Sequence, residues 1–276
     1  VSQLEIERAA GNNARPVIPT IWIDTDIALG AARGDVDDGF ALAAVAAAAR
    51  RGKANLLGVS VVSGNTDAVT ALRCARACLA AANAESVPVV GPVEAAARLT
   101  TLPPGTSLLA LGPLTNVASA LRRNPGVAND VSLSVVMRVR EPWRAPALWL
   151  SDLNRKSDPA AADVACAGHW RELRIMPLDV IRRLRLDAKR LRQVAACGPC
   201  GAYLREHSLR WLERAHWRYP LRRSFPVWDL VPVLDALQLL HQSSFDRRSR
   251  MLTTFDVDAA FDSLLELLKL SDGAAW

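Results

Sequence analysis

Asp24 and Asp26 close the apolar run Ile21-Trp22-Ile23, and Asp37-Asp38 follow after ten intervening residues. Four carboxylates this close to the end of one buried strand repel one another unless something positive sits among them. A bound metal ion answers that need. A hard divalent cation takes carboxylate and carbonyl oxygens, and a flexible shell of such ligands suits calcium better than the strict octahedron of magnesium. Asp37 and Asp38 also stand where a helix should begin, so capping by carboxylates favoured at the positive end of the helix dipole competes with the metal reading for that pair.

The elements that must position these groups are legible as an alternation. Short β-rich runs predict strands near 20–24, 56–62, 87–90, 107–111, 131–136 and 173–177. Ala/Leu/Arg-rich stretches predict helices near 38–51, 66–83, 114–123, 158–168, 187–196, 202–217, 227–241 and 258–270. This is the pattern of an α/β fold: an open, mostly parallel, doubly wound, Rossmann-like sheet with helices on both faces. Residues 1–16 read as a tail and 17–276 as a single domain, within the usual range for one large α/β unit. Asp24 and Asp26, Ser63 to Asn65, Gly112 to Asn116, Met137-Arg138 and Asp179 all fall at carboxyl ends of expected strands. Open α/β sheets bind ligands along that edge.

Several segments in order resemble the calcium-dependent nucleoside hydrolases, the inosine-uridine preferring nucleoside hydrolase family. Asp24-Thr25-Asp26 with Asp37-Asp38 resembles its Asp-rich signature, and Gly58 to Asn65 its second strand with a Gly-Asn ending. Leu109 to Asn116 is similar to its Gly-Pro-Leu-Thr-Asn turn. Asn154 with Asp158-Pro159 and Trp228-Asp229 complete the series. The resemblance implies the nucleoside hydrolase fold and a hydrolase, a glycosidase that cleaves the N-glycosidic bond of ribonucleosides to ribose and free base, as in purine salvage. Carried over residue by residue, it gives Ca2+ bound by Asp26, Asp38, Asp229 and the backbone carbonyl of Thr115. Asp26 would be the general base for a water molecule whose pKa the ion lowers. Asp37, Asn65, Asp152 and Asn154 would bind the ribose. Carboxylates around an oxocarbenium-like sugar stabilise its developing positive charge.

Where some members carry His-Asp, with the His a candidate acid for the leaving base, this chain has Trp228-Asp229. An indole can stack on a purine and favour its protonated form, which implies a purine-leaning substrate. Packing of Trp228 in the core is the competing account. In the preceding region, Arg205 to Arg223, the resemblance places a wall over the base: Trp217 and Tyr219 are stacking candidates, Trp211 reads as core, and His207 or His216 could donate a proton if turned inward.

The chain departs from the family pattern in several places. Ten residues separate Asp26 from Asp37 where the family has three, so the segment 27–36, with Gly30 and Gly34, is expected to loop out. Met137-Arg138-Val139 replaces Met-Gly-Gly, and Asp152 stands for a Glu. Arg138 or Arg144 could instead receive a 5′-phosphate, since guanidinium matches phosphate geometry. Two other functions therefore compete. One is a ribosyl-binding relative without turnover. The other is a haloacid-dehalogenase-type phosphatase with Asp24 as nucleophile and Asp26 as acid, for which Lys189 and Lys269 are poorly placed and Gly112 to Asn116 has no role.

Composition sets outer bounds. Hydrophobic residues make up 50% of the 276, ample for a core, and the formal charge of +6 is spread as Arg along the chain with no patch to suggest nucleic acid. No apolar window is long enough for a membrane span, and Val1 to Pro16 carries no signal core. The expectation is a cytoplasmic protein with a small-molecule nucleoside as its partner, assembled as a dimer or tetramer of itself. Five cysteines form no disulfide framework in a chain this long. Cys197-Gly198-Pro199-Cys200 spells a thioredoxin-type tetrapeptide but follows an expected helix rather than a strand, so Gly198-Pro199 is read as a break between helices.

Overall fold

A central strand, β1 (Thr20–Thr25), carries the first two aspartates at its carboxyl end. The computed structural model describes residues 17–32, 34–138, 152–218 and 223–269. The order continues with α1 (Asp37–Arg50), β2 (Asn55–Val61), α2 (Ala68–Ala81), β3 (Val89–Val90), α3 (Pro92–Leu99) and β4 (Ser107–Ala110). Then come α4 (Thr115–Arg123), α5 (Val127–Asp130), β5 (Ser132–Met137), α6 (Leu153–Ser157), α7 (Pro159–Ala167) and β6 (Glu172–Pro177). The carboxyl-terminal part holds α8 (Leu178–Ile181), β7 (Arg185–Asp187), α9 (Ala188–Ala195), α10 (Pro199–Arg218) and β8 (Ser224–Pro226). It ends with α11 (Leu230–Ala236), β9 (Ser244–Phe245), β10 (Leu252–Thr254) and α12 (Val257–Leu268).

Six strands form one sheet in the order β3-β2-β1-β4-β5-β6, with every pairing parallel. Side chains alternate across β1 as the strand period requires. Ile21 and Ile23 enter one apolar layer with Phe40, Leu42 and Val45 of α1, whereas Trp22 enters the opposite layer with Leu108, Val117 and Leu121. Helices therefore cover both faces, as the doubly wound reading expects. The strand order reverses between β1 and β4, and ligands of such sheets lie in the crevice outside the carboxyl ends at that reversal. Asp24 to Asp26 and Gly112 to Asn116 flank it.

All six expected sheet strands are present with ends shifted by two residues at most. Helix α3 is additional: Gly91 takes an extended N-cap conformation and Pro92 starts the helix, where its missing N–H costs nothing. The antiparallel pairs β7–β8 and β9–β10 are also additional.

The segment after Asp26 corrects the expectation that it loops out. Ile27, Ala28 and Leu29 are buried to within 1% of full exclusion and join the core beside α1, because apolar side chains gain more from that layer than from solvent. The turn at Gly30 to Ala32 reaches the surface, where Gly30 adopts φ +89° and Arg214 of α10 donates to the Ala32 carbonyl at 2.9 Å.

Cys197 to Cys200 lies at the junction of α9 and α10, with Gly198 at φ +127° and Pro199 opening the second helix. Burial pushes the Cys200 thiol up to about 11, the opposite of an activated thiol.

Candidate active site

The end of β1 is fixed from three sides. Asn116, in the first turn of α4, donates from Nδ2 to Asp24 Oδ1 at 2.8 Å and to the Val61 carbonyl of β2 at 3.0 Å. Ser60 Oγ also donates to Asp24 Oδ1 and accepts the Trp22 indole N–H at 3.0 Å. Asp24 is fully buried, its Oδ2 has no partner, and burial raises its pKa to about 6 against the pull of Asn116 and Ser60. Asp24 thus braces strands from beneath the crevice.

Asp26 extends past the strand. Its Oδ2 accepts the backbone N–H of Asn65 at 2.6 Å, and Gly64 and Gly112 close around the same carboxylate so tightly that a Cβ on Gly64 would lie 2.0 Å from Oδ2. Glycine is required there by close approach. Asn65 also reaches Asp38 Oδ2 with its side-chain amide at 3.5 Å, while the Thr25 hydroxyl donates to Asp38 Oδ1. The Gly-Asn ending of β2 therefore touches both the strand-end and the helix-start carboxylates.

Asp37 and Asp38 open α1, but neither is its N-cap, which is Val36 with no side-chain cap. Their carboxylates turn into the crevice instead. Oxygens of Asp37, Asp38 and Asp229 lie within 4.8 Å of one another, and all three residues are buried. Asp229 arrives from the N-cap position of α11. Burial is the first cause that raises the pKa values of Asp26, Asp37 and Asp229 well above the ordinary range, and repulsion by neighbouring carboxylates adds to it. The same burial puts Asp38 at about 7. Buried carboxylates that are close and mutually repelling are a fitting donor set for a hard divalent cation.

Sequence reasoning missed Asp35. It is half-buried, accepts the Val36 N–H at 2.6 Å, hydrogen-bonds the Asp37 side chain and adds its repulsion to Asp26, Asp37, Asp38 and Asp229. The available signal was its position two residues before the Asp-Asp pair.

The remaining expected residues fall on the same edge. Thr115 begins α4, and its hydroxyl donates at 2.8 Å to Asp158, which also caps α7 through the Ala161 N–H at 2.9 Å. Both oxygens of Asp152 are engaged, with the Arg155 N–H at 2.9 Å and the Arg138 N–H at 2.8 Å. Asn154 donates to the Leu111 carbonyl at 2.7 Å and the Val136 carbonyl at 3.3 Å, tying the ends of β4 and β5 together and keeping its own Oδ1. Asp152 and Asn154 therefore brace strand ends whatever else they bind. Trp228 is half-buried against the main core, with its indole N–H buried and without a partner.

On α10, His207 packs edge-on to Tyr203 with ring centroids 4.4 Å apart and lies beside Gly30, and Trp211 packs on the core. Arg144, Tyr219 and the side chains of His216 and Trp217 lie outside the described residues.

The family description "inosine-uridine preferring nucleoside hydrolase" matches residues 92–264, more than half of the chain. No curated protein matches. Among solved structures, a plant nucleoside hydrolase, PpNRh1, superposes with a TM-score of 0.73 at 16% identity over 92% of this chain and 100% of its own. A purine-preferring ribonucleoside hydrolase from Gardnerella vaginalis gives 0.71 at 16% identity over 91% and 100%. The type III effector XopQ, solved with adenosine diphosphate ribose, gives 0.71 at 16% identity over 96% and 97%. At that identity the superpositions speak to the fold, whereas the family match spans the Gly-Pro-Leu-Thr-Asn turn, Asn154 and Asp229. The chain belongs to the inosine-uridine preferring nucleoside hydrolase family and is a nucleoside N-ribohydrolase.

Proposed function

We propose that this enzyme hydrolyses purine-leaning ribonucleosides with Ca2+ held by Asp26, Asp38, Asp229 and the Thr115 carbonyl. The observation that carries the reading is the convergence of the buried Asp37 and Asp38 of α1 with Asp229 at the start of α11, their carboxylate oxygens within 4.8 Å of one another, beside Asp26, which stands outside that group and is joined to Asp38 through Asn65. When bound, the cation supplies charge compensation and makes a water molecule more acidic.

Asp26 receives the water's proton. Its carboxylate is held in place by the Asn65 N–H, so little reorganisation is needed. Asp37, Asn65, Asp152 and Asn154 are the sugar-binding set, with the free Oδ1 of Asn154 as an acceptor for a ribose hydroxyl. The carboxylates left around the sugar favour the positive charge that grows as the glycosidic bond breaks. The purine preference rests on Trp228. Release of free hypoxanthine from inosine, abolished by chelator and by Asp26→Ala, is the expected result; a calcium-loaded protein that releases no base from inosine, adenosine, guanosine or uridine overturns the reading.

No helix among the described residues is long and apolar enough to cross a membrane. A cytoplasmic purine-salvage role, a single domain over 17–276 and self-assembly into dimers or tetramers complete the proposal. A second reading, ribosyl binding without turnover, is favoured by XopQ having been solved with adenosine diphosphate ribose. Tight calorimetric binding of that ligand without base release from any nucleoside would select it.

A further inference from the structure

Helix ends and strand starts meet at the amino edge of the sheet, opposite the crevice, and that edge collects arginines that stand far apart in the sequence. Arg98 lies in the last turn of α3, which leads into β4, and Arg122 and Arg123 end α4, which leads through α5 into β5. Arg171 immediately precedes β6. Arg248 and Arg250 sit in the turn between β9 and β10, and the Ile175↔Met251 bridge runs parallel, so this turn hangs beside the start of β6. The neighbouring segments are joined directly. Asn124 Nδ2 donates to the Thr100 carbonyl at 3.4 Å, the Arg171 N–H to the Ala128 carbonyl at 2.6 Å and the Ile175 N–H to the Arg250 carbonyl at 3.0 Å. All six arginines are exposed, and the ion pairs of the described residues, which engage Arg155, Arg174, Arg190 and Lys269, take in none of them. Of the carboxylates on this edge, Glu172 is paired with Arg174, Asp246 accepts the N–H groups of Arg248 and Ser249 in its own turn, and Asp130 is exposed.

The negative end of a helix dipole accounts for Arg98, Arg122 and Arg123 taken singly. It has no bearing on Arg171, Arg248 or Arg250, which belong to no helix. Charge that reads as scattered along the sequence is thus gathered by the fold. A second feature shares the edge: Val17 and Ile18, just before β1, are 85% and 53% exposed. At about 4.8 Å per strand, the ground from β1 to β6 is roughly 14 Å wide. We propose that this amino edge is a docking surface for an anionic membrane. The guanidinium groups match the phosphates of lipid headgroups, and the two aliphatic side chains enter the boundary of the acyl chains. A nucleic-acid backbone would satisfy the arginines but gains nothing from Val17 and Ile18. The contact is peripheral, since no helix among the described residues is long and apolar enough to cross a membrane. Docked in this way, the enzyme keeps its crevice, at the opposite edge, open to solution.

The test is co-sedimentation of the full chain with vesicles of phosphatidylglycerol and phosphatidylcholine in equal parts, against vesicles of phosphatidylcholine alone. Binding is expected to the anionic vesicles only, and it should fall away in high salt, where screening shortens the reach of surface charge. At about fivefold in affinity per arginine, Arg122→Ala combined with Arg123→Ala should weaken binding roughly 25-fold. Val17→Ser combined with Ile18→Ser should weaken it about tenfold and leave its salt dependence unchanged. Neither pair should alter the hydrolysis of inosine in solution. Circular dichroism checks that the variants fold, and if one does not, the wild-type comparison of the two vesicles still decides. Equal binding to both vesicles, or binding to neither, overturns the inference. So does vesicle binding that both variant pairs leave intact. Duplex RNA that displaces the wild-type protein from anionic vesicles, with the serine variants behaving as wild type, would assign the edge to nucleic acid instead.

Discussion

Asn116 Nδ2 stands 2.8 Å from Asp24 Oδ1, joining the first turn of α4 to the end of β1, and the same nitrogen bonds the β2 carbonyl of Val61. One amide thus ties three elements at the point where the strand order reverses. Asn116→Ala leaves a fully buried carboxylate with one donor fewer, and a buried polar group stripped of a partner costs about 1–3 kcal/mol. Urea denaturation should show that loss, and calcium affinity should fall with it because Asp26 lies two residues beyond Asp24.

The stability of the metal-free protein should fall as pH rises from mildly acidic to neutral. Asp24 at about 6 and Asp38 at about 7 both lie above the ordinary aspartate value of 3.8, so the folded state binds more protons than the unfolded chain. Their contribution is fully present below the unfolded value, declines above it and is lost once pH passes the folded values. Calcium should oppose this decline, raising Tm strongly above pH 7 and little near pH 5, with about 2.7 kcal/mol expected at a hundredfold excess over Kd. Thermal melts across that range, with and without calcium, check the sign.

Asp38→Asn should separate stability from metal binding. At neutral pH the substitution removes a charge that burial and the neighbouring Asp35 disfavour, so the metal-free protein should gain stability on the order of a few kcal/mol. The same change should abolish the calcium-induced rise in Tm and depress base release. A variant less stable than wild type without metal would mean that the Thr25 and Asn65 bonds to Asp38 outweigh the repulsion.

The sheet and most of the crevice are legible in the sequence because their signals are local. Apolar runs ending in Asp, Gly-Asn or Gly-Pro-Leu-Thr-Asn mark strand ends, and Asp38 and Asp229 stand in short motifs. Asp35 is harder to read, since whether an acidic residue in an inserted segment turns inward depends on Ile27 and Leu29 anchoring that segment in the core. The β7–β8 pair is out of reach for a related reason. Its Leu186–Phe225 register joins stretches far apart in the chain, which only tertiary packing selects. Asp152 and Asn154 show the opposite limit. Their motif is visible, yet their bonds to strand-end backbone are a matter of geometry.

Gly64→Ala should disable the site with little change elsewhere. A Cβ there would stand 2.0 Å from Asp26 Oδ2 and 2.9 Å from Pro113 Cδ, distances that no rotation of the new methyl relieves. Either Asp26 swings away, breaking its bond to the Asn65 N–H, or the β2 turn shifts and carries Asn65 from Asp38. Both outcomes separate carboxylates proposed to share one cation, so calcium affinity should drop about tenfold while overpacking costs roughly 1–3 kcal/mol of stability. Gly52→Ala is the control: nothing lies within 4 Å of its Cβ, and its positive φ makes it mildly destabilising without touching the crevice. If the two variants bind calcium equally well, Asp26 is not where the cation is held.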